Sequence, residues 1–205
     1  QTEGEVMANG WPKAVIFDLE TTGLSPERDE IIQIAAVRMV NGMVQPHTSF
    51  STFVNPGRPL PTFITGYTGI TEAQVRRAPP PAEALAAFAR FAGYALLVAH
   101  NGHRFDIPFV RCSCARSGLP TGEASYTDSI FLSRRLWGGR GGHGLDAVLQ
   151  RLGIRGDGVR RHDARGDVHL LAEAVTQMWS RLPREPGVWP APTYRCAFPA
   201  AGRTG

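Results

Sequence analysis

The chain has 205 residues, of which 42% are hydrophobic and 20% are charged, and its formal net charge is +4 at pH 7. This size and composition are those of a soluble globular domain that can bury a core without disulfide or metal staples. No apolar run approaches the roughly 18 to 20 residues that a membrane helix needs, so no membrane association is predicted. The basic residues are arginines except for Lys13. The planar guanidinium group of arginine binds phosphate through two parallel hydrogen bonds, but arginine content alone is weak evidence for a nucleic-acid partner.

Three cysteines, Cys112, Cys114 and Cys196, form neither a disulfide framework nor a zinc-binding spacing. Their number and spacing favour a reducing compartment, and we expect a cytoplasmic protein.

The chain divides into three parts by composition. Residues 1–10 have neither the basic start nor the apolar core of a signal peptide, and we interpret them as a flexible extension. Residues 11–182 carry the periodic patterns of a folded domain. Residues 183–205 are rich in Pro and Gly without periodicity, which predicts a tail whose aromatic residues either dock on a partner or fold back on the domain.

The first predicted elements are three sequential strands, at residues 13–18, 31–40 and 47–55. Asn41-Gly42, between the second and third strands, is a hairpin signal. Short connections between sequential strands predict an antiparallel meander.

Helical patterns and one further strand follow the meander. Thr71, with Glu72 and Gln74 after it, predicts a helix start, and residues 94–100 form a short continuous apolar run that is typical of a strand buried on both faces. Further helices are predicted at residues 81–93, 105–117, 128–136, 143–152 and 164–182. The predicted fold class is therefore α/β, with one mixed sheet flanked by helices.

Two carboxylates end the first strand. Asp18 and Glu20, in the stretch "VIFDLETTGL", are two positions apart and therefore point to the same face of a strand, where one cation can touch both. Ionised carboxylates resist burial unless a cation or hydrogen bonds compensate them. Taken alone, this pattern also fits a surface turn or an ion pair.

A second polar group follows the buried strand in "VAHNGHRFDIPFV". His100 and Asn101 end the strand, and a helix opens near Phe105 and Asp106. The carboxyl ends of strands that run into helix N-termini are where open α/β sheets bind ligands. For Asp106, an ordinary helix N-cap is the alternative interpretation.

A third group opens the last helix, in "RRHDARGDVHLLAEAV". Five residues turn through roughly 140° on a helix, so His162 and Asp167 can meet one site only if His162 precedes the regular helix. Asp163, which lies between them, is a candidate for the N-cap of this helix.

The three groups together resemble the DEDDh exonucleases, the DnaQ-like family that includes the proofreading epsilon subunit of bacterial DNA polymerase III. The resemblance spans roughly residues 13–182 and depends on three motifs: "FDLETTGL", "AHNGHRFD" and "HDARGD". It implies an RNase H-like fold, two divalent cations (Mg²⁺ or Mn²⁺), and removal of nucleoside monophosphates from 3′ ends. Four oxygen donors without cysteine agree with a hard cation rather than zinc.

The resemblance also assigns roles. Asp18 would bridge both metals, Glu20 and Asp167 would hold the first, Asp106 would act on the second, and His162 would take a proton from the attacking water. Residues that would contact the terminal nucleotide are Thr21, Thr22, Leu24, Asn101 and Phe105.

The sequence differs from the epsilon-subunit pattern at two places, and these differences leave the subfamily undecided. Three residues separate His100-Asn101 from Phe105-Asp106, as in TREX-type exonucleases, where the epsilon subunit has two. Thr68 stands where the epsilon subunit carries a histidine. His103 is a candidate second polar contact, against the alternative of a surface loop residue.

The predicted function is a metal-dependent 3′→5′ exonuclease acting on single-stranded or frayed DNA 3′ ends, in proofreading or repair. The alternatives are an RNA 3′-trimming exonuclease, since the 2′-hydroxyl contacts that distinguish the two polymers have no sequence signature here, and a non-catalytic polymerase accessory module. A DNA polymerase catalytic subunit is a possible partner that the resemblance alone suggests.

Overall fold

A computed structural model describes residues 13–139, 141–156, 162–183 and 191–200. Within these ranges the chain forms one six-stranded sheet in the order β3-β2-β1-β4-β5-β6, with helices on both faces. The elements in chain order are β1 (Ala14–Thr21), β2 (Ile31–Val40), β3 (Met43–Phe53), α1 (Thr62–Thr68), α2 (Glu72–Arg76), α3 (Pro81–Ala92), β4 (Leu96–Ala99), α4 (Asp106–Ser117), β5 (Thr121–Asp128), α5 (Ser129–Trp137), α6 (Leu145–Leu152), α7 (Ala164–Arg181) and β6 (Tyr194–Pro199). The predicted extension at residues 1–10 lies outside the described residues.

The predicted antiparallel meander is confirmed. β1 pairs with β2, and β2 with β3, both antiparallel. The hairpin between β2 and β3 turns at Asn41 and Gly42, with φ of 56° and 75°. Two successive positive φ values are what a tight hairpin turn requires, and this explains the Asn-Gly pair.

The other half of the sheet is partly parallel, as a mixed sheet requires. β4 runs parallel to β1 and to β5. Its central residues are buried on both faces, Leu97 against one helical layer and Val98 against the other. The continuous apolar run that predicted this strand therefore reflects burial between two layers.

Alternation along β1 divides the core into two layers. Ile16 packs with the residues of α7, whereas Val15 and Phe17 pack with α3 and α4. Because side chains two apart share a face, Asp18 and Glu20 continue the row of Ile16 and point to the α7 layer. The fold therefore directs both carboxylates toward the helix that carries Asp167.

Three elements differ from the sequence prediction. The sequence predicted neither α1 nor β5. Residues 183–205 were interpreted as a tail, but Tyr194–Pro199 form β6, which pairs antiparallel with β5 and buries Phe198 against Phe88 (ring centroids 5.4 Å apart). Part of the predicted tail thus completes the sheet. Among the helices of the described ranges, none has the length and apolar character that would allow it to cross a membrane.

Candidate metal centre and active site

Three carboxylates from two distant segments meet at the carboxyl end of β1. Asp18, Glu20 and Asp167 each place a carboxylate oxygen within 4.8 Å of the others. Asp18 and Glu20 are half-buried and Asp167 is buried. Three like charges at this separation repel one another strongly in a partly buried site, so the arrangement fits a compensating cation.

The turn after β1 holds its shape through its threonines. The Thr21 hydroxyl donates to the Gly23 carbonyl at 2.6 Å, and the Thr22 hydroxyl accepts from the Glu30 N–H at 3.0 Å. A Cβ at Gly23 would lie 2.4 Å from the Asp29 carboxylate, so any larger residue here would displace that carboxylate. Both threonine side chains are buried and bonded within the turn.

Leu24 follows this turn and is 85% exposed. A large apolar side chain at such an exposed position is available for contact with a ligand.

The third motif lies at the start of α7, as the helix geometry required. Asp163 is the N-cap, its carboxylate accepting the Arg165 N–H at 3.1 Å, and Ala164 is the first helical residue. His162 precedes the cap with φ of 61°, and its N–H donates to Asp167 Oδ2 at 3.1 Å. His162 therefore lies on the turn that leads into α7, which we call the entry turn, and Asp163 is the N-cap. Both predictions are confirmed.

A residue that the sequence interpretation passed over lies on His162. The Tyr67 ring of α1 stacks on the imidazole with a centroid separation of 4.0 Å and an interplanar angle of 26°. The contact borders the group of three carboxylates, since the His162 N–H is bonded to Asp167.

Asp106 is the first residue of α4 and is 1% exposed. The alternative interpretation of Asp106 as an ordinary N-cap is wrong, because Phe105 occupies the N-cap position and no side chain caps the helix. Burial, reinforced by the charges of Asp128 and Glu20 and opposed by backbone N–H groups, raises the pKa of Asp106 from 3.8 to about 8. Asp106 lies outside the group of three carboxylates but close enough to interact with Glu20.

The loop that carries the second motif is anchored by Asp128, at the end of β5. Its Oδ1 accepts from the N–H groups of Asn101, at 3.0 Å, and Ile130, at 2.9 Å, and its Oδ2 accepts from the His103 N–H at 3.1 Å. Asn101 has φ of 61°, an uncommon value for a non-glycine residue. The carboxylate therefore holds a strained loop in place.

Two side chains of this loop have defined surroundings. Phe105 packs on the core and lies 4.8 Å from the Phe109 ring, centroid to centroid. The exposed His103 is hydrogen-bonded through Nδ1 to the Tyr126 hydroxyl at 2.7 Å, and its ring centroid lies 4.9 Å from that of Tyr194 of β6. His103 is thus a surface loop residue held by an aromatic cluster.

Sequence reasoning missed Gln33, Asp128 and Tyr67. Gln33 had a readable signal, because it is a lone polar residue within the apolar run of β2, and it is 1% exposed. The sequence signal at Asp128 was weaker: an Asp-Ser pair stands before a predicted helix, which is typical of an N-cap. Tyr67 had none, since its importance comes from a contact with a residue far along the chain.

The residues present fit a divalent metal site. Their donors are carboxylate oxygens, which hard divalent cations prefer. Asp106 Oδ1 is buried and has no hydrogen-bond partner among the described residues. A nearby cation would supply the missing interaction and would favour the ionised form of the carboxyl.

Comparison with known proteins identifies the family of this chain. The profile of the RNase T family, described as exonuclease, matches residues 15–175. The chain belongs to this exonuclease family. The match includes all five residues of the predicted catalytic set, from Asp18 to Asp167.

Among sequence relatives of this exonuclease chain is the DNA polymerase III subunit epsilon-like protein of Rhodobacter capsulatus, which is 46% identical over 172 residues, covering 82% of this chain and 24% of that protein. The chain spans about a quarter or less of the length of the curated relatives that it matches.

Two solved structures share the fold. Exonuclease X in complex with 5′ overhanging duplex DNA has a TM-score of 0.65 at 25% identity, covering 82% of this chain and 91% of that one. The nuclease domain of 3′hExo, a DEDDh family member, bound to rAMP, has a TM-score of 0.71 at 23% identity, covering 82% of this chain and 92% of that one. The predicted RNase H-like fold and exonuclease class are confirmed.

Proposed function

We propose that this chain is a two-metal 3′→5′ exonuclease that releases nucleoside monophosphates from DNA 3′ ends. The observation that carries the proposal is the convergence of Asp18, Glu20 and Asp167 within 4.8 Å, next to His162. Similarity to a DNA polymerase III subunit epsilon-like protein supports DNA as the polymer and proofreading, or related repair, as the setting.

The four carboxylates would hold two divalent cations, Mg²⁺ or Mn²⁺. Asp18, Glu20 and Asp167 would provide one shared set of oxygens, and Asp106, beside Glu20, would serve the second ion. Such a pair of ions supplies charge stabilisation for the attacking and leaving oxygens of an in-line displacement at phosphorus.

The remaining residues would position the polymer and move a proton. His162, on the entry turn of α7, would accept the proton of the attacking water, a task for which imidazole is suited near neutral pH. The backbone of Thr21 with Leu24 would contact the terminal nucleotide from one side, and Asn101 with Phe105 from the other. Thr22, buried and bonded to Glu30, would contribute by shaping the turn.

A polymerase catalytic subunit is the partner that the epsilon-like relative suggests. Gel filtration of the chain mixed with the replicative polymerase subunit of the same organism tests this part separately. Two independent peaks would reject the association and leave the exonuclease proposal intact.

The function is tested by a time course on matched 3′-labelled substrates: single-stranded DNA, a duplex with a mismatched 3′ end, and single-stranded RNA. We expect stepwise shortening of the DNA from the 3′ end with Mg²⁺ or Mn²⁺ and none with chelator. Intact DNA in the presence of metal would overturn the proposal, and faster degradation of RNA than of DNA would assign the RNA-trimming alternative.

A further inference from the structure

Gln33 is a buried amide in an otherwise apolar row of β2. Its neighbours on the same face, Ala35, Val37 and Met39, pack in the core beneath α7. The Gln33 side chain is instead hydrogen-bonded at both ends to the start of that helix: Nε2 donates to Asp163 Oδ1 at 3.3 Å, and Oε1 accepts from the Ala164 N–H at 3.1 Å.

Both partners of Gln33 belong to the first turn of α7. The first N–H groups of a helix have no acceptor within the helix, and Gln33 supplies one for Ala164 from the sheet. Asp163 is the N-cap of the same turn. The amide therefore fixes where α7 begins relative to β2.

The position of this contact in the sheet connects it to the metal ligands. Gln33 is the register partner of Glu20 in the β1–β2 pair. On the helix side, His162 immediately precedes Asp163, and its N–H is bonded to Asp167. One side chain thus links the strand position beside Glu20 to the turn that carries His162 and Asp167.

We propose that Gln33 is a positioning residue for the exonuclease reaction, holding the entry turn of α7 so that His162 and Asp167 face Asp18 and Glu20. The inference rests on the proposed function. The positive φ of His162 adds to the argument, because a non-glycine residue keeps such a conformation only when its surroundings hold it. Simple filling of the core needs no amide, since an apolar side chain of the same length would fill this space.

The test is Gln33→Met, which keeps the length of the side chain and removes both hydrogen bonds. We expect kcat on a 3′-labelled single strand to fall about 10- to 100-fold, the effect of a misplacement of about 1 Å in an active site, while KM changes less than about twofold. The matched control is Thr176→Val, which removes the bond from the Thr176 hydroxyl to the Gly42 carbonyl (2.9 Å) at the other end of α7. We expect the control to keep wild-type turnover.

Two measurements separate positioning from general loss of structure. In a His162→Ala background, Gln33→Met should cause a smaller fold-loss of turnover than in the wild type, because one of the two groups that it positions is already absent. Amide hydrogen exchange should show faster exchange of the Ala164 N–H in Gln33→Met, with the amides of the central turns of α7 unchanged.

A second variant covers the case in which Gln33→Met fails to fold. Asp163→Ser keeps a capping hydroxyl on a half-buried turn and removes the carboxylate that Gln33 contacts. We expect a severalfold lower kcat with unchanged KM.

Wild-type turnover in folded Gln33→Met, or in Asp163→Ser where Gln33→Met does not fold, would overturn the inference. The inference would also be overturned if Gln33→Met lowered kcat no more than Thr176→Val does. It would equally be overturned if the double variant with His162→Ala lost kcat by the full product of the two single losses. A wild-type chain without nuclease activity would instead overturn the proposed function, and this inference with it.

Discussion

Tyr67 stacks face to face on His162, with their ring centroids 4.0 Å apart, although 94 positions separate the two residues in the chain. Tyr67 is 56% exposed, so the contact forms the solvent-facing wall of the entry turn. The stacked ring limits the orientations that the imidazole can adopt.

Removing the Tyr67 ring should therefore lower turnover. Aromatic pairs are worth about 0.5 to 1.5 kcal/mol, so we expect Tyr67→Ala to lower kcat about 3- to 10-fold. Tyr67→Phe is the matched control, because it keeps the ring and should keep the activity. Equal activity of the alanine and phenylalanine variants in steady-state assays would contradict a role for the stack.

Asp18→Asn should abolish activity without unfolding the chain. The substitution removes a carboxylate from the group of three and relieves their mutual repulsion, so we expect an unchanged or higher melting temperature in chelator. With metal, we expect a loss of about a thousandfold or more, since the missing stabilisation amounts to several kcal/mol. Glu173→Gln, on the exposed side of α7, is the control, and near-wild-type activity of Asp18→Asn would exclude the metal-ligand role.

His162→Ala should affect the chemical step rather than metal binding. Loss of a general base typically costs about 100- to 10,000-fold in rate. We expect a decrease in that range in single-turnover assays, with the Mn²⁺ affinity measured by calorimetry changed less than about threefold. His169→Ala, the control, alters an exposed histidine on α7 and should leave both the rate and the metal affinity unchanged. A weakened metal site with normal turnover would argue against His162 as the base.

The raised pKa of Asp106 predicts a pH-dependent stability of the metal-free protein. The folded-state pKa of about 8 exceeds the ordinary 3.8, so between these values the unfolded chain releases a proton that the folded chain retains. The stabilising contribution of the neutral carboxyl is complete below about pH 4 and is lost as the pH rises to about 8.

We expect Asp106→Asn in chelator to exceed the wild type in free energy of unfolding at pH 8, with the difference shrinking toward pH 4. Urea denaturation at several pH values measures it. A difference that does not change with pH would show that Asp106 is ionised in the metal-free fold.

Phe198→Ala tests whether β6 belongs to the folded domain. Phe198 is buried against Phe88, and removing a core phenylalanine costs about 3 kcal/mol or more. Denaturation should show that loss, whereas Tyr94→Ala, at an 88% exposed position, should cost little. Equal stability of the two variants would place β6 outside the cooperative unit.

Much of the site was predictable because its motifs are local. The spacing of Asp18 and Glu20 determines that they share a face, and the turn angle of a helix determines that His162 must precede α7. These are properties of strands and helices that do not depend on the rest of the chain.

The elements that were missed depend on distant partners. β5 reads "TGEASYTD", small and polar, and becomes a strand because β4 and β6 pair with it on either side. β6 lies in a Pro-rich segment, and it belongs to the folded domain because it pairs with β5 and buries Phe198. Gln33 was visible as an interruption of an apolar run, but its partners at the start of α7 were not.

The carboxylates come from strand β1 and from helices α4 and α7, which are far apart in the chain. A ribosome-bound fragment that ends before the turn leading into α7 lacks both His162 and Asp167 and has no complete set of carboxylates. The proposed nuclease activity can therefore arise only after α7 has been synthesised, and a copy truncated before this helix would lack it.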